Sequence, residues 1–127
     1  MKELEITIYK HLEERNWHHL RPSDIAKSIM IEGAELLELF QWENLPLEDV
    51  KKDSEKIEEI KNELADVMIY CIEMSTLLGL DTEDLIRKKL ERVNKKYPAE
   101  LMSQSTQGPG TESEYWRIKK EYRKQGS

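Results

Sequence analysis

Apolar residues recur along this chain with helical spacing, and no stretch shows the period-two alternation of a half-buried strand. Leu4, Ile8 and Leu12 lie four residues apart and predict a short amphipathic helix over 3–15. Pro22 breaks the chain, and Ser23 with Asp24 offers an N-terminal cap for a second helix over about 24–41. Pro46 closes the next turn, and the charged residues 47–54 read as a loop. A long third helix over about 55–78 stops at Gly79. Thr82 caps a fourth, with Glu83 and Asp84 in its first turn and Lys95 and Lys96 in its last, which suits the helix dipole at both ends. Tyr97-Pro98 ends it. Residues 103–113 have the composition of a polar linker, and 114–124 can form a short terminal helix. The expected fold is all-α, with a four-helix-bundle-type core in a domain over 1–102 and a linker plus short helix over 103–127.

On a helical wheel, Ile25, Ile29, Leu36 and Leu39 fall within about 60° of Glu32. Ile60, Val67, Tyr70, Met74 and Leu77 surround Glu63 in the same way. Glu35 and Asp66 stand at the edges of these stripes. Each of the two central helices therefore turns a carboxylate toward its own core side, a rare placement unless the charge is paired or bound to metal. Residues i and i+3 share a helix face, so Glu32-x-x-Glu35 and Glu63-x-x-Asp66 can present four carboxylates to one point. Such an oxygen-rich cage suits Mg²⁺, Mn²⁺ or Ca²⁺ and not zinc. The Glu-x-x-His of a bundled di-iron site is missing, and His11, His18 and His19 lie outside both helices. Solvated or salt-bridged acids are the plain alternative, and the in-stripe positions of Glu32 and Glu63 count against it. Glu38 points away from the stripe, whereas Glu59 and Glu73 lie near the acid edge as spare ligands.

Composition sharpens this picture. Charged residues make up 36% of the 127 and hydrophobic ones 38%, with mean hydropathy −0.76, so one chain builds a thin core. The third helix is apolar nearly all round between Leu64 and Leu78, and a helix of that kind is buried on every side. Both points predict an obligate homo-oligomer. The net charge of −6 argues against a partner that is a nucleic acid polymer. The single cysteine, Cys71, reads as a buried helix residue in a reducing compartment. No apolar run reaches the roughly 20 residues of a membrane span, and Met-Lys-Glu-Leu-Glu is too acidic for a leader, so the expected location is cytoplasmic.

The segments Arg15-Asn16-Trp17, Glu32 through Trp42, Glu63 through Tyr70 and Lys95 through Pro98 resemble the MazG-like nucleoside triphosphate pyrophosphohydrolases. A spacer of 27 residues separates the acid pairs, and the run Phe40-Gln41-Trp42 is most similar to the small dCTP pyrophosphatase subgroup. The resemblance covers about residues 4–102. It implies an all-α dimer or dimer of dimers that cleaves between the α and β phosphates with Mg²⁺ (Mn²⁺ is possible), releasing a nucleoside monophosphate and pyrophosphate. Carried over, Glu32, Glu35, Glu63 and Asp66 are the metal ligands and catalytic acids. Trp17, Trp42 and Tyr70 match positions lining the base and sugar pocket, Lys89 matches a basic position near the phosphates, and Tyr97 belongs to the closing Tyr-Pro pair. Many relatives have Asn four residues before that Tyr; here Val93 stands there and Asn94 follows it.

Read without the resemblance, Trp17 and Trp42 are packing anchors as readily as base platforms. Lys89 is as well placed to snorkel along an apolar stripe as to meet phosphate. Trp116 reads as an anchor for the tail. The functional expectation is hydrolysis of a deoxynucleoside triphosphate, dCTP first, to clean the nucleotide pool. The alternatives are a non-catalytic helical homo-oligomer that binds a protein partner, and a related dUTP or phosphoribosyl-ATP pyrophosphatase.

Overall fold

A computed structural model describes residues 1–103 and 114–126; the rest of the expected linker, 104–113, lies outside the described residues. Among the described residues every regular element is a helix: α1 (Lys2–Glu14), α2 (Pro22–Glu38), α3 (Leu47–Lys52), α4 (Ser54–Leu77), α5 (Thr82–Lys96), α6 (Ala99–Met102) and α7 (Glu114–Lys124). Two local expectations are corrected. Pro22 opens α2 at its first position, where its missing N–H costs nothing, so Arg21 is the cap residue and Ser23 and Asp24 cap nothing. Residues 47–52 form a helix rather than a loop. Glu48 and Asp49 stand in its first turn and Lys51 and Lys52 in its last, in the order the dipole favours, with a Lys51–Glu48 pair at 3.1 Å.

The chain divides into two units, Met1–Thr82 and Glu83–Ser127. In the first, α1, α2 and α3 all pack on α4. Ile8 and Leu12 of α1 close on Ile72 of α4, with Leu77 beside them. α1 and α4 each end beside a left-handed residue that lets the final carbonyls be satisfied. After α1, Asn16 (φ 56°) lets the Trp17 N–H donate to the Leu12 carbonyl at 2.8 Å. After α4, Gly79 (φ 71°) lets the Leu80 N–H reach the Ser75 carbonyl at 2.9 Å. A buried polar node closes this end of the unit. The Thr82 N–H donates to Glu5 Oε1 at 2.9 Å, and the Ser75 and Thr82 hydroxyls are 2.7 Å apart. Hydrogen bonds from the Thr82 hydroxyl and backbone, aided by the Lys2 charge, hold the Glu5 carboxyl below its usual range.

The core is as thin as expected. Leu64, Met68 and Ile69 of α4 are exposed in the single chain, as are Met30, Ile31 and Leu37 of α2. Cys71, expected to be buried, is exposed on α4, because one chain covers only the sides of α4 that face α1, α2 and α3. In the second unit α6 packs on α7, Ile118 is buried, and the Lys96 ammonium lies over the rings of Tyr97 (5.4 Å) and Tyr122 (4.6 Å). Trp116 is half-exposed, so Ile118 and not Trp116 is the residue that anchors the terminal helix.

Two glycines separate backbone need from open space. Gly79→Ala forces a β-carbon into the left-handed region and is expected to cost about 1–2 kcal/mol. Gly33 lies inside α2 with nothing within 4 Å of an added Cβ, so Gly33→Ala is expected to gain about 0.5–1 kcal/mol. Denaturant unfolding of the two variants checks both signs. A loss at Gly33 would mean that something beyond this chain fills the space beside it.

Candidate metal centre

α2 and α4 run antiparallel, and one lysine fixes their register. Asp53 caps α4 by accepting the Lys56 N–H at 3.0 Å. The Lys56 side chain then donates its ammonium to the Leu39 carbonyl at the end of α2 and lies 5.6 Å over the Phe40 ring. A cation in the first turn of α4 opposes that helix's own dipole; here it serves the C-terminal end of its neighbour. The sequence held this signal, and the candidate residues did not include it.

With that register, Glu32 and Glu35 of α2 face Glu63 and Asp66 of α4. One carboxylate oxygen from each lies within 4.8 Å of the others. Glu32, Glu63 and Asp66 are half-buried and Glu35 is exposed. The second oxygens of Glu32 and Glu63 are buried with no hydrogen-bond partner. Buried carboxylate oxygens without donors are costly, and four acids with oxygens within 4.8 Å of one another repel. The Glu35 carboxyl is raised above its usual value, chiefly by the shared hydrogen bond and the charge of Glu32. Glu63 is raised by burial first and then by Glu35 and Asp66. Unpartnered oxygens, convergent geometry and an all-carboxylate donor set are what a hard divalent cation needs.

The remaining expected site residues are placed as follows. Tyr70 stands half-buried one turn beyond Asp66. Trp42 is 87% exposed in the turn after α2. Trp17, half-exposed, meets His11 edge-on at 6.1 Å. His11 shares an apolar groove with Ala65 and Met68, and helical geometry puts those two on the side of α4 away from Glu63. Within one chain Trp17 is therefore not joined to the acids. Lys89, Asn94 and Tyr97 belong to the second unit; Lys89 and Asn94 are exposed and Tyr97 is half-buried. The Tyr97 N–H donates to the Val93 carbonyl at 2.8 Å. Glu38 and Glu59 are exposed. Glu73 is buried with one unpaired oxygen, and burial raises its carboxyl.

Comparison with known proteins identifies the family and the fold. Residues 27–108 match the MazG-like family. Among solved structures the chain is similar to a pyrophosphatase from Archaeoglobus fulgidus, at 33% identity and a TM-score of 0.67, over 77% of this chain and 92% of that one. No curated protein matches the chain.

The strained acids make a prediction about stability without metal. The folded protein holds the Glu63 proton more tightly than the unfolded chain does. That contribution is complete below the ordinary value of 4.5 and is lost as pH rises through the higher folded value. In chelator, Glu63→Gln is therefore expected to melt above the unmodified protein at neutral pH, with the gap closing toward pH 4.5. Paired thermal melts across that range check it, and a gap independent of pH would contradict the assigned cause.

Proposed function

Since the chain belongs to the MazG-like family and is a nucleoside triphosphate pyrophosphohydrolase, we propose that it hydrolyses a deoxynucleoside triphosphate, dCTP first, to the monophosphate and pyrophosphate with Mg²⁺ at the four-acid cluster. The observation that carries this reading is the convergence of Glu32, Glu35, Glu63 and Asp66, with two buried oxygens lacking donors.

A triphosphate brings about four negative charges to an acidic protein, so counter-charge has to come with it. A divalent ion held by Glu32, Glu63 and Asp66 would polarise the α-phosphate and offset charge on the leaving pyrophosphate. Glu35 is the exposed member of the four, and its raised carboxyl takes up a proton more readily than a free glutamate. These properties suit it to orient the attacking water and accept its proton. Trp42 offers a ring for the base. Tyr70, one turn past Asp66, packs against the sugar and leaves a ribose 2′-hydroxyl crowded or unpaired. The family likeness proposes Lys89, Asn94 and Tyr97 as further substrate-binding residues, with Lys89 the one assigned to phosphate. The uncovered apolar residues of α2 and α4 meet a second copy, giving a dimer or a dimer of dimers.

Three outcomes are expected. Pyrophosphate release requires a divalent metal, and Glu35→Gln lowers kcat by about 10²–10⁴-fold while the protein stays folded. Normal turnover in that variant would remove Glu35 from its role. Tyr70→Ala narrows the dCTP-over-CTP preference in kcat/KM by about tenfold; an unchanged ratio would dispose of the sugar gate alone. Analytical ultracentrifugation shows no folded monomer at micromolar concentration, and a stable monomer would refute the assembly.

A further inference from the structure

α1 and α4 close beside the left-handed residues Asn16 and Gly79. α2 instead ends at Leu39 in the ordinary right-handed conformation (φ −66°, ψ −18°), with no basic residue in its last turn. Its final carbonyls therefore need a donor from outside the helix. Lys56 of α4, itself half-buried, donates to the Leu39 carbonyl and covers the Phe40 ring. Residues 39–46 join α2 to α3. Within them the backbone makes a single bond of its own, from the Glu43 N–H to the Phe40 carbonyl at 3.4 Å. Among the described residues no side-chain hydrogen bond other than that of Lys56 reaches them. Nor is the segment packed flat on α4. Glu43 and Leu45 line a cavity of about 280 Å³ together with Lys56 and Glu59 of that helix, and Glu59 stands one turn before Glu63. Trp42, in this same turn, is exposed. Lys56 is thus the hydrogen-bonded tie between the turn that carries Trp42 and the helix that carries Glu63 and Asp66.

We propose that Lys56 is a positioning residue for base recognition: it holds the turn after α2, and so keeps the Trp42 ring in place relative to the acid cluster. This rests on the reading above, in which Trp42 offers its ring to the base of a triphosphate bound at Glu32, Glu35, Glu63 and Asp66. A ring on a loosely bonded turn gives up backbone and side-chain freedom when a base stacks on it, and that loss is subtracted from affinity. A turn already tied to α4 has less to give up. Two other roles for the lysine make different demands. To meet a phosphate directly, the ammonium has to leave both the Leu39 carbonyl and the Phe40 ring. If it served only the register of α2 and α4, its removal would act on the acids and be indifferent to Trp42.

The test uses the full chain, first without ligand. Lys56→Met keeps the apolar stem and removes the donor. Hydrogen exchange at the Leu39, Phe40 and Glu43 amides is expected to quicken about tenfold, as for a lost bond to a charged group, while residues 63–70 of α4 stay as slow as before. Lys56→Arg, whose guanidinium can both donate and lie on the ring, restores the slow rates. Calorimetry with Mg²⁺ and a dCTP analogue carrying a methylene group between the α and β phosphates then reads the base. Trp42→Ala weakens binding about 5- to 150-fold. Lys56→Met weakens it by part of that factor and Lys56→Arg leaves it intact. The double variant of Lys56→Met and Trp42→Ala binds within about twofold of Trp42→Ala alone. Unchanged exchange in Lys56→Met would overturn the proposal, and so would losses that simply add, since the lysine would then act on the acids or the phosphates and not through the ring. If the analogue does not bind the unmodified protein, the substrate reading falls and takes base recognition with it, whereas a failure confined to the Lys56 variants leaves that reading standing.

Discussion

Four carboxylates held with an oxygen of each within 4.8 Å of the others are the constraint on which this molecule turns. Like charges at that distance, two of them with a buried and unpaired oxygen, cost free energy in a protein that has little to spare. The rest of the first unit keeps them there. Asp53 starts α4, Lys56 ties its first turn to the end of α2, and α1 supports α4 from the other side. On the proposed reading, a divalent cation held at this cluster would offset the repulsion built into the fold.

Much of this was legible in the sequence. The i, i+3 spacing within each acid pair, set in the middle of an apolar stripe, placed Glu32 and Glu63 toward the α2–α4 contact, because the 3.6-residue period leaves no other face for them. The long helices were visible for the same reason. What escaped detection depended on short-range or cross-chain detail. α3 is six residues long and too short to show a period, and only the order of its charges marks it. Pro22 reads equally as a breaker and as a first helical residue until the backbone is seen. Cys71 looked buried because α4 is apolar all round, a property that one chain cannot satisfy. The node of Glu5, Ser75 and Thr82 joins residues far apart in sequence, and no local pattern announces it.

The thin core has its own logic. Ile8, Leu12 and Ile72 are the buried centre of the first unit, and apolar side chains of similar size such as Met30, Leu37 and Met68 remain outside it. Small domains gain little from burial alone, and this one spends part of its interior on acids. Covering the exposed side chains elsewhere would return the missing apolar burial.

The Glu5–Thr82 bond also bears on how the chain acquires its structure. Its two ends are 77 residues apart, one of the longest closures in the first unit and among the slowest kind to find. During synthesis at about 5–20 residues per second, Glu5 precedes Thr82 by roughly 4–15 s. For that interval the Glu5 carboxylate has only Lys2 and water to meet it, because the first turn of α5 has not been made. α1 and α4 have to dock before the cap can form, so the beginning of α5 is consolidated late, as the act that closes the first unit rather than the one that nucleates it.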